Sequence, residues 1–270
     1  CVTETLNSQA RQLLTNIVSN GLIFIIGAGI NLWMVPYLIS RLGVSAYGMI
    51  PLANQITSYL SLITLALTGS VGRFFTIEWV NKNDENSNKV FNTTFFSSLF
   101  LSLALLPVAG GFIYYLPTFI NIPPGQDANV QILFGVVFIS FCLTFLQTGF
   151  SISSWALSRF DLRNLVVLAG KVVQVVVLLV LFNAYRPTVW QFGVSLVASN
   201  LALFIGNYLL WRRLTPNIEI SFQYFDKTYL SELLNMGKWI IVDQIGTLLL
   251  LNLDLILANR LLGTENGGKY

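Results

Sequence analysis

Long apolar runs alternate with short polar segments along the whole chain. A helix needs about 20 apolar residues to cross the hydrocarbon of a bilayer. Seven runs reach that length, at 16–40, 47–79, 90–115, 129–158, 165–185, 189–211 and 238–262. Several are longer, which indicates tilt or extension beyond the membrane surface. The pattern predicts an all-α integral membrane protein with seven transmembrane helices.

Composition supports this interpretation and excludes several kinds of functional site. The chain is 54% hydrophobic and 10% charged, whereas a soluble domain has roughly 25% charged residues. Its net charge of +3 gives no reason to expect a nucleic-acid partner. The absence of histidine excludes histidine metal ligands and histidine bases, and Cys1 and Cys142 form no metal-binding or disulfide pattern. With no nucleophile arrangement or phosphate-binding loop either, we expect a protein without cofactor, metal or catalytic residues, and therefore not an enzyme.

The positive charges between the apolar runs predict the orientation. Lysines and arginines accumulate in cytoplasmic loops. One side has nine of them, and the other side has Arg41, Arg186, Arg260 and Lys269. The N-terminus is therefore predicted to lie on the cytoplasmic side of the cell membrane, and loops 42–46, 116–128 and 186–188 on the outer side. The nine are Arg11, Arg73, Lys82, Lys89, Arg159, Arg163, Arg212, Arg213 and Lys227.

Segment 214–237 differs from the short loops. After a polar stretch, Asp226 is placed to cap a short helix that has Tyr229, Leu230, Leu233 and Leu234 on one side. The spacing fits an amphipathic helix in the membrane interface or an ordinary loop helix. We therefore predict a cytoplasmic segment 1–15, a six-helix lobe 16–213, a linker 214–237 and the first helix of a second lobe at 238–270. Because the chain begins at Cys1 and stops at Tyr270, we expect it to be a fragment.

Three apolar runs have polar stripes at helical spacing. In lipid such stripes face other helices or a water-filled cavity. They either allow close packing or, taken together, surround a polar cavity, which is our prediction. The stripes are Asn16, Asn20, Gly27 and Asn31 in the first run, Asn54, Ser58, Ser61, Thr68 and Gly72 in the second, and Ser140, Thr144, Gln147, Thr148, Ser151, Ser154 and Ser158 in the fourth.

Four charged residues are predicted to lie within the membrane: Arg73, Lys171, Asp243 and Asp254. Each charge costs roughly 2.5–3.5 kcal/mol at a helix centre, so such residues often have a function. The aspartates are 11 residues or about 16 Å apart on one face, and are candidates to carry an ion or to form a structural pair. Arg73 and Lys171 are candidate phosphate partners. Alternatively, Arg73 only reflects the excess of positive charge on the cytoplasmic side. Lys171 lies about 9 Å inside its predicted helix, and its side chain then extends to the membrane interface.

A short motif joins the first two predicted helices. It contains Pro36, Leu42-Gly43 and Tyr47-Gly48, and Leu42, Gly43 and Gly48 recur 220 residues later as Leu262, Gly263 and Gly268. Together with Gly72-Arg73 before Glu78, and with Leu233 to Gly237 before Asp254, this pattern resembles the Wzx-like polysaccharide biosynthesis flippases. These belong to the multidrug/oligosaccharidyl-lipid/polysaccharide exporter superfamily.

The resemblance implies two six-helix lobes and alternating access to a central, often cationic cavity. The expected substrate is an undecaprenyl-diphosphate-linked oligosaccharide, flipped to the outer leaflet by use of an ion gradient, with glycan polymerase and glycosyltransferase machinery as partners. The branch that flips the peptidoglycan precursor has arginines in its first helix, and run 16–40 has none, which favours the O-antigen, capsule or exopolysaccharide branch. The alternatives are a cation-coupled multidrug exporter of the same superfamily and a polytopic glycan polymerase or glycosyltransferase.

Overall fold

A computed structural model describes the backbone of residues 2–120 and 122–262, and the side chains of 10–58, 60, 61, 64, 69–120 and 122–246. Within these ranges the chain is helical, without strands. The helices are α1 (Val2–Leu42), α2 (Val44–Tyr47), α3 (Met49–Val80), α4 (Asp84–Tyr114), α5 (Leu116–Phe119), α6 (Asp127–Ala156), α7 (Phe160–Ala184), α8 (Val189–Leu214) and α9 (Lys227–Leu262), with a 3₁₀ turn at Phe222–Tyr224.

Seven of the described helices are long, and each covers all or nearly all of one predicted run. Five of these helices are long and apolar enough to cross a membrane, namely α1 from Ala10 onward, α4, α6, α7 and α8. Their outward surfaces carry large apolar side chains such as Phe24, Leu32 and Val180, which are more than half exposed. Lipid is the environment in which such surfaces are stable. The prediction of an all-α membrane protein is confirmed.

Helix α6 lies at the centre of the bundle. It contacts α3, α4 and α8, while α7 lies between α8 and α1, and α9 packs against α3. Two buried apolar clusters hold the helices together. One surrounds Leu133 and Leu178 near the start of α6. The other surrounds Phe150 and Trp211 near its end, where the Trp211 ring also stacks on Phe91 at 5.0 Å between centroids.

The motif between the first two runs forms a tight corner. Pro36 lies inside α1, and Gly43 separates α1 from α2 with φ of 81°. This left-handed conformation requires glycine. Tyr47 packs on the apolar cluster near Leu133, and Gly48 is an ordinary helical residue between α2 and α3. The proposed echo at Gly263 lies outside the described residues.

The connection from α8 to α9 differs from the predicted separate linker helix. Residues 215–226 form no α-helix and contain a turn at 216–217 besides the 3₁₀ turn, and α9 then runs without a break from Lys227 to Leu262. Asp226 caps α9 as predicted, because its Oδ1 accepts the Thr228 N–H at 2.7 Å. That hydrogen bond is the main reason why the pKa of Asp226 lies below its ordinary value. The helical part of the linker and the seventh run are thus one helix.

Side-chain amides of α4 hold this connection. Asn88 accepts the Glu219 N–H at 2.8 Å and donates to the Asn217 carbonyl at 3.2 Å. Asn92 accepts the Ser221 N–H at 2.8 Å and donates to the Glu219 carbonyl at 2.7 Å. The two asparagines are four residues or about 6 Å apart along α4, and the backbone groups that they bind are two extended residues or about 6.6 Å apart. The spacing of the side chains therefore matches the spacing of the backbone groups. We call Asn88 and Asn92 the asparagine ladder.

Candidate functional site: a two-arginine cavity

A cavity of about 670 Å³ lies inside the bundle between α3, α6, α7 and α8. It is close to the end of the bundle where α6 stops and α7 begins. The four helices present mainly small polar side chains and two arginines to it. The lining residues are Gly69, Gly72, Arg73, Thr76, Thr144, Gln147, Thr148, Ser151, Ile152, Trp155, Arg163, Val167, Leu203 and Asn207.

The described lining of the cavity carries positive charge without a balancing carboxylate. Arg73 comes from α3 and Arg163 from α7, and neither forms an ion pair with any described residue. No aspartate or glutamate is among the described lining residues. Two uncompensated guanidinium groups make a site that favours an anion and repels a cation.

Trp155 orients one of the two arginines. The guanidinium carbon of Arg163 lies 5.1 Å from the centre of the Trp155 ring, a cation–π contact. Phe160 packs edge-to-face on the same tryptophan at 5.0 Å. Trp155 itself lines the cavity and is half exposed. The site therefore combines charge with an aromatic surface.

Hydroxyl and amide groups from α6 fill most of the polar wall. Thr148 and Ser151 donate to carbonyls of their own helix, at 3.1 and 2.9 Å, so their oxygens remain acceptors. Gln147 is buried, and its Oε1 accepts from Asn207 Nδ2 of α8 at 3.2 Å. The arginines are consequently the principal donors for a bound anion. The neutral groups can exchange hydrogen bonds with a polar ligand such as a sugar.

Room for the cavity comes partly from glycine in α3. A Cβ added to Gly72 would meet nothing within 4 Å, so this position borders open space. Gly69 has a different role, because an added Cβ would lie 2.7 Å from Ile240 Cδ1 of α9. In addition, Ser70 donates to the Leu233 carbonyl at 3.0 Å. Small residues thus let α9 approach α3 beside the cavity, as is common between membrane helices.

Only part of the predicted site assembles here. Arg73 and Gln147 line the cavity, and the predicted polar stripe of α6 faces it through four residues. Asn31 is exposed on α1, and Asp243 is exposed on α9; neither lines the cavity. Asp254 lies outside the described side chains.

Lys171 lies elsewhere and deeper than predicted. Because α7 begins at Phe160, Lys171 is 11 residues or about 16 Å inside the helix instead of about 9 Å. Its amine faces α1, and a Cβ added to Gly27 would be 3.3 Å from it. At that depth the lysine stem is too short to reach the near end of the helix.

Two asparagines of the polar stripe of α1 pack against neighbouring residues instead of lining this cavity. Asn16 donates to the Ser158 carbonyl at 2.8 Å and accepts the Asp161 N–H at 3.3 Å. Asn20 accepts from Asn164 at 2.7 Å. These bonds fix α1 to the corner between α6 and α7, which is the packing role left open by the sequence.

Arg163 and Trp155 are site residues that the sequence did not predict. The apolar run begins at residue 165, so the sequence indicates a loop charge at Arg163. The spacing of four residues between Arg163 and Val167 is the signal that places both on one side of a helix. Recognising it requires knowing that the helix starts before its apolar part.

The chain is 29% identical over 257 residues to the uncharacterized membrane protein EpsK of Bacillus subtilis (strain 168). The alignment covers 94% of this chain and 50% of that protein, so the chain spans about half the length of the curated relative it matches. The chain is a multi-pass membrane protein. No protein-family model and no solved structure matches it, so the relative and the five apolar helices carry this conclusion.

Proposed function

We propose that this protein is a flippase that moves an undecaprenyl-diphosphate-linked oligosaccharide across the cell membrane by alternating access. The observation that carries the proposal is the cavity with Arg73, Arg163 and no carboxylate among its described lining residues. Such a cavity inside a membrane bundle suits a lipid whose headgroup is anionic. The likeness to the Wzx-like flippases is consistent with it, and the match to EpsK supports membrane residence.

The chemistry of the cavity fits both parts of such a headgroup. A diphosphate offers oxygens that arginine binds through paired, charge-assisted hydrogen bonds. The sugar offers hydroxyl groups to Thr148, Ser151 and Gln147, and an apolar ring face to Trp155.

A cation-coupled multidrug exporter is the alternative from the same superfamily. Its organic-cation cargo would enter a cavity with two positive charges and no negative lining residue among those described, which is unfavourable. Ion coupling is assigned in this proposal to Asp243 and Asp254 of α9, and Lys171 remains a candidate contact for the headgroup during transit. Asn31 remains a candidate on the pathway if the second lobe encloses α1.

A binding measurement separates the two transport functions. The full-length protein is placed in lipid nanodiscs and titrated with undecaprenyl diphosphate, with undecaprenol, and with tetraphenylphosphonium. We expect the diphosphate to bind at least about tenfold more tightly than the alcohol, since two charge-assisted contacts exceed 1.4 kcal/mol. Its affinity should fall as salt is raised. Preferential binding of tetraphenylphosphonium would instead support the exporter.

The orientation of the chain is a separate part of the proposal. Positive charges favour a cytoplasmic position for the α3–α4 turn and for the cavity end of the bundle. Reporter fusions after Asn83 and after Asp127 should report cytoplasm and exterior, respectively. The opposite pair of results would place the two-arginine cavity at the outer leaflet and contradict loading from the cytoplasm.

A further inference from the structure

A second cavity, of about 190 Å³, lies between α3, α4 and α6. Its wall is formed by apolar side chains, among them Ala109, Phe112 and Phe134, and Thr57 is its one polar residue among those described. It contains no charged residue in the described part of the chain. A ligand that fits this wall is therefore a hydrocarbon.

Water is a poor occupant of this space. A buried water typically forms two to four hydrogen bonds with polar groups. The Thr57 hydroxyl already donates to the Asn54 carbonyl of its own helix at 2.9 Å. The cavity is several times larger than the roughly 30 Å³ that one water occupies in the liquid, so water would fill it without partners.

The mouth of the cavity opens on the lipid-facing surface of α4. Val108 lines the cavity and is 65% exposed. It lies six residues, or about 9 Å, before Tyr114. Tyr114 and Tyr115 are exposed at the end of α4, where aromatic rings mark the boundary between headgroups and hydrocarbon. The mouth is thus within the hydrocarbon layer at this end of the bundle.

We infer that this cavity binds one acyl chain of a bilayer phospholipid, which enters from the leaflet at the Tyr114 end. Two observations favour this occupant over the rest of the protein and over the transported lipid. Helix α9 contacts α3 at Gly69, 16 residues or about 24 Å along α3 from the lining residue Ala53. The two-arginine cavity lies toward the other end of α6. The inference does not depend on the proposed function.

Photolabelling by lipid in the full-length protein tests this inference. The protein is reconstituted in vesicles of phosphatidylethanolamine and phosphatidylglycerol that contain a trace of phosphatidylglycerol with a diazirine on its acyl chain. After illumination, labelled peptides are mapped by mass spectrometry. We expect labelling at Phe112 and Phe134 to exceed that at the exposed α7 positions Val172 and Val176 by about fivefold, because an enclosed chain touches more side-chain surface than a chain at the bundle surface.

Two variants of the same chemical change provide the control. Ala109→Phe fills the cavity and should remove the excess labelling, whereas Ala104→Phe, at an exposed position of the same helix, should leave it unchanged. Equal labelling of cavity and surface positions in the unaltered protein would overturn the inference without recourse to any variant. Loss of the excess label on addition of undecaprenyl diphosphate would assign the cavity to a polyprenyl chain and overturn the phospholipid assignment.

Discussion

Replacing Arg163 with glutamine should weaken the binding of undecaprenyl diphosphate to the full-length protein by about 10- to 100-fold. The guanidinium lines the cavity and has no acidic partner among the described residues, so its charge is available to the ligand. A hydrogen bond to a charged group contributes about 1.5–3 kcal/mol, and each 1.4 kcal/mol is a factor of ten in the dissociation constant. Titration in nanodiscs at fixed salt measures the change. Arg73→Gln should act in the same direction.

Arg212→Gln is the matched control. Arg212 also lies over a tryptophan ring, at 5.2 Å from the centre of Trp211, but it does not line the cavity. Its removal should change the dissociation constant by less than about twofold, since its charge lies outside the cavity and is screened by solvent. Arg163→Lys should retain part of the affinity, because it keeps the charge and loses the paired geometry. Equal effects of Arg163→Gln and Arg212→Gln would mean that the cavity is not the binding site.

Replacing Asn92 with leucine should release the connection between α8 and α9. The side chain is fully buried and bonds both the Glu219 carbonyl and the Ser221 N–H. Leucine has a similar size but leaves both backbone groups unpaired, at a cost of about 1–3 kcal/mol each. Even 2 kcal/mol corresponds to a roughly thirtyfold increase in the open population. Limited proteolysis between residues 215 and 226 should accelerate accordingly, and the thermal midpoint should fall.

Asn183→Leu tests whether the effect belongs to the asparagine ladder. Asn183 is exposed at the end of α7, and its side chain forms no hydrogen bond with another described residue. The same substitution there should leave the proteolysis rate and the thermal midpoint unchanged. Asn88→Leu should reproduce the Asn92 phenotype. If Asn92→Leu cleaves no faster than Asn183→Leu, apolar packing and not the ladder holds the connection.

The placement of Arg163 shows why part of the site could not be predicted. The apolar run starts at residue 165, yet α7 starts at Phe160. The extra turn is held by tertiary contacts: the Asp161 N–H donates to Asn16 of α1. A hydrogen bond between residues so distant in sequence has no local signature. The same shift moved Lys171 from near the interface to about 16 Å inside its helix.

The sequence by itself determined the helical membrane class, the approximate positions of the long helices, the glycine at the corner after α1 and the inward polar face of α6. These follow from local rules, because hydrocarbon requires long apolar helices and makes exposed polar groups costly. Only the tertiary structure decided which polar faces meet around a cavity. The α6 stripe borders one with Arg73 and Arg163, whereas Asn16 and Asn20 of the α1 stripe form hydrogen bonds to Ser158, Asp161 and Asn164. Polar side chains avoid lipid equally well by bonding to a neighbouring helix or by facing a water-filled cavity. Which of the two occurs depends on the helix that the fold places opposite them.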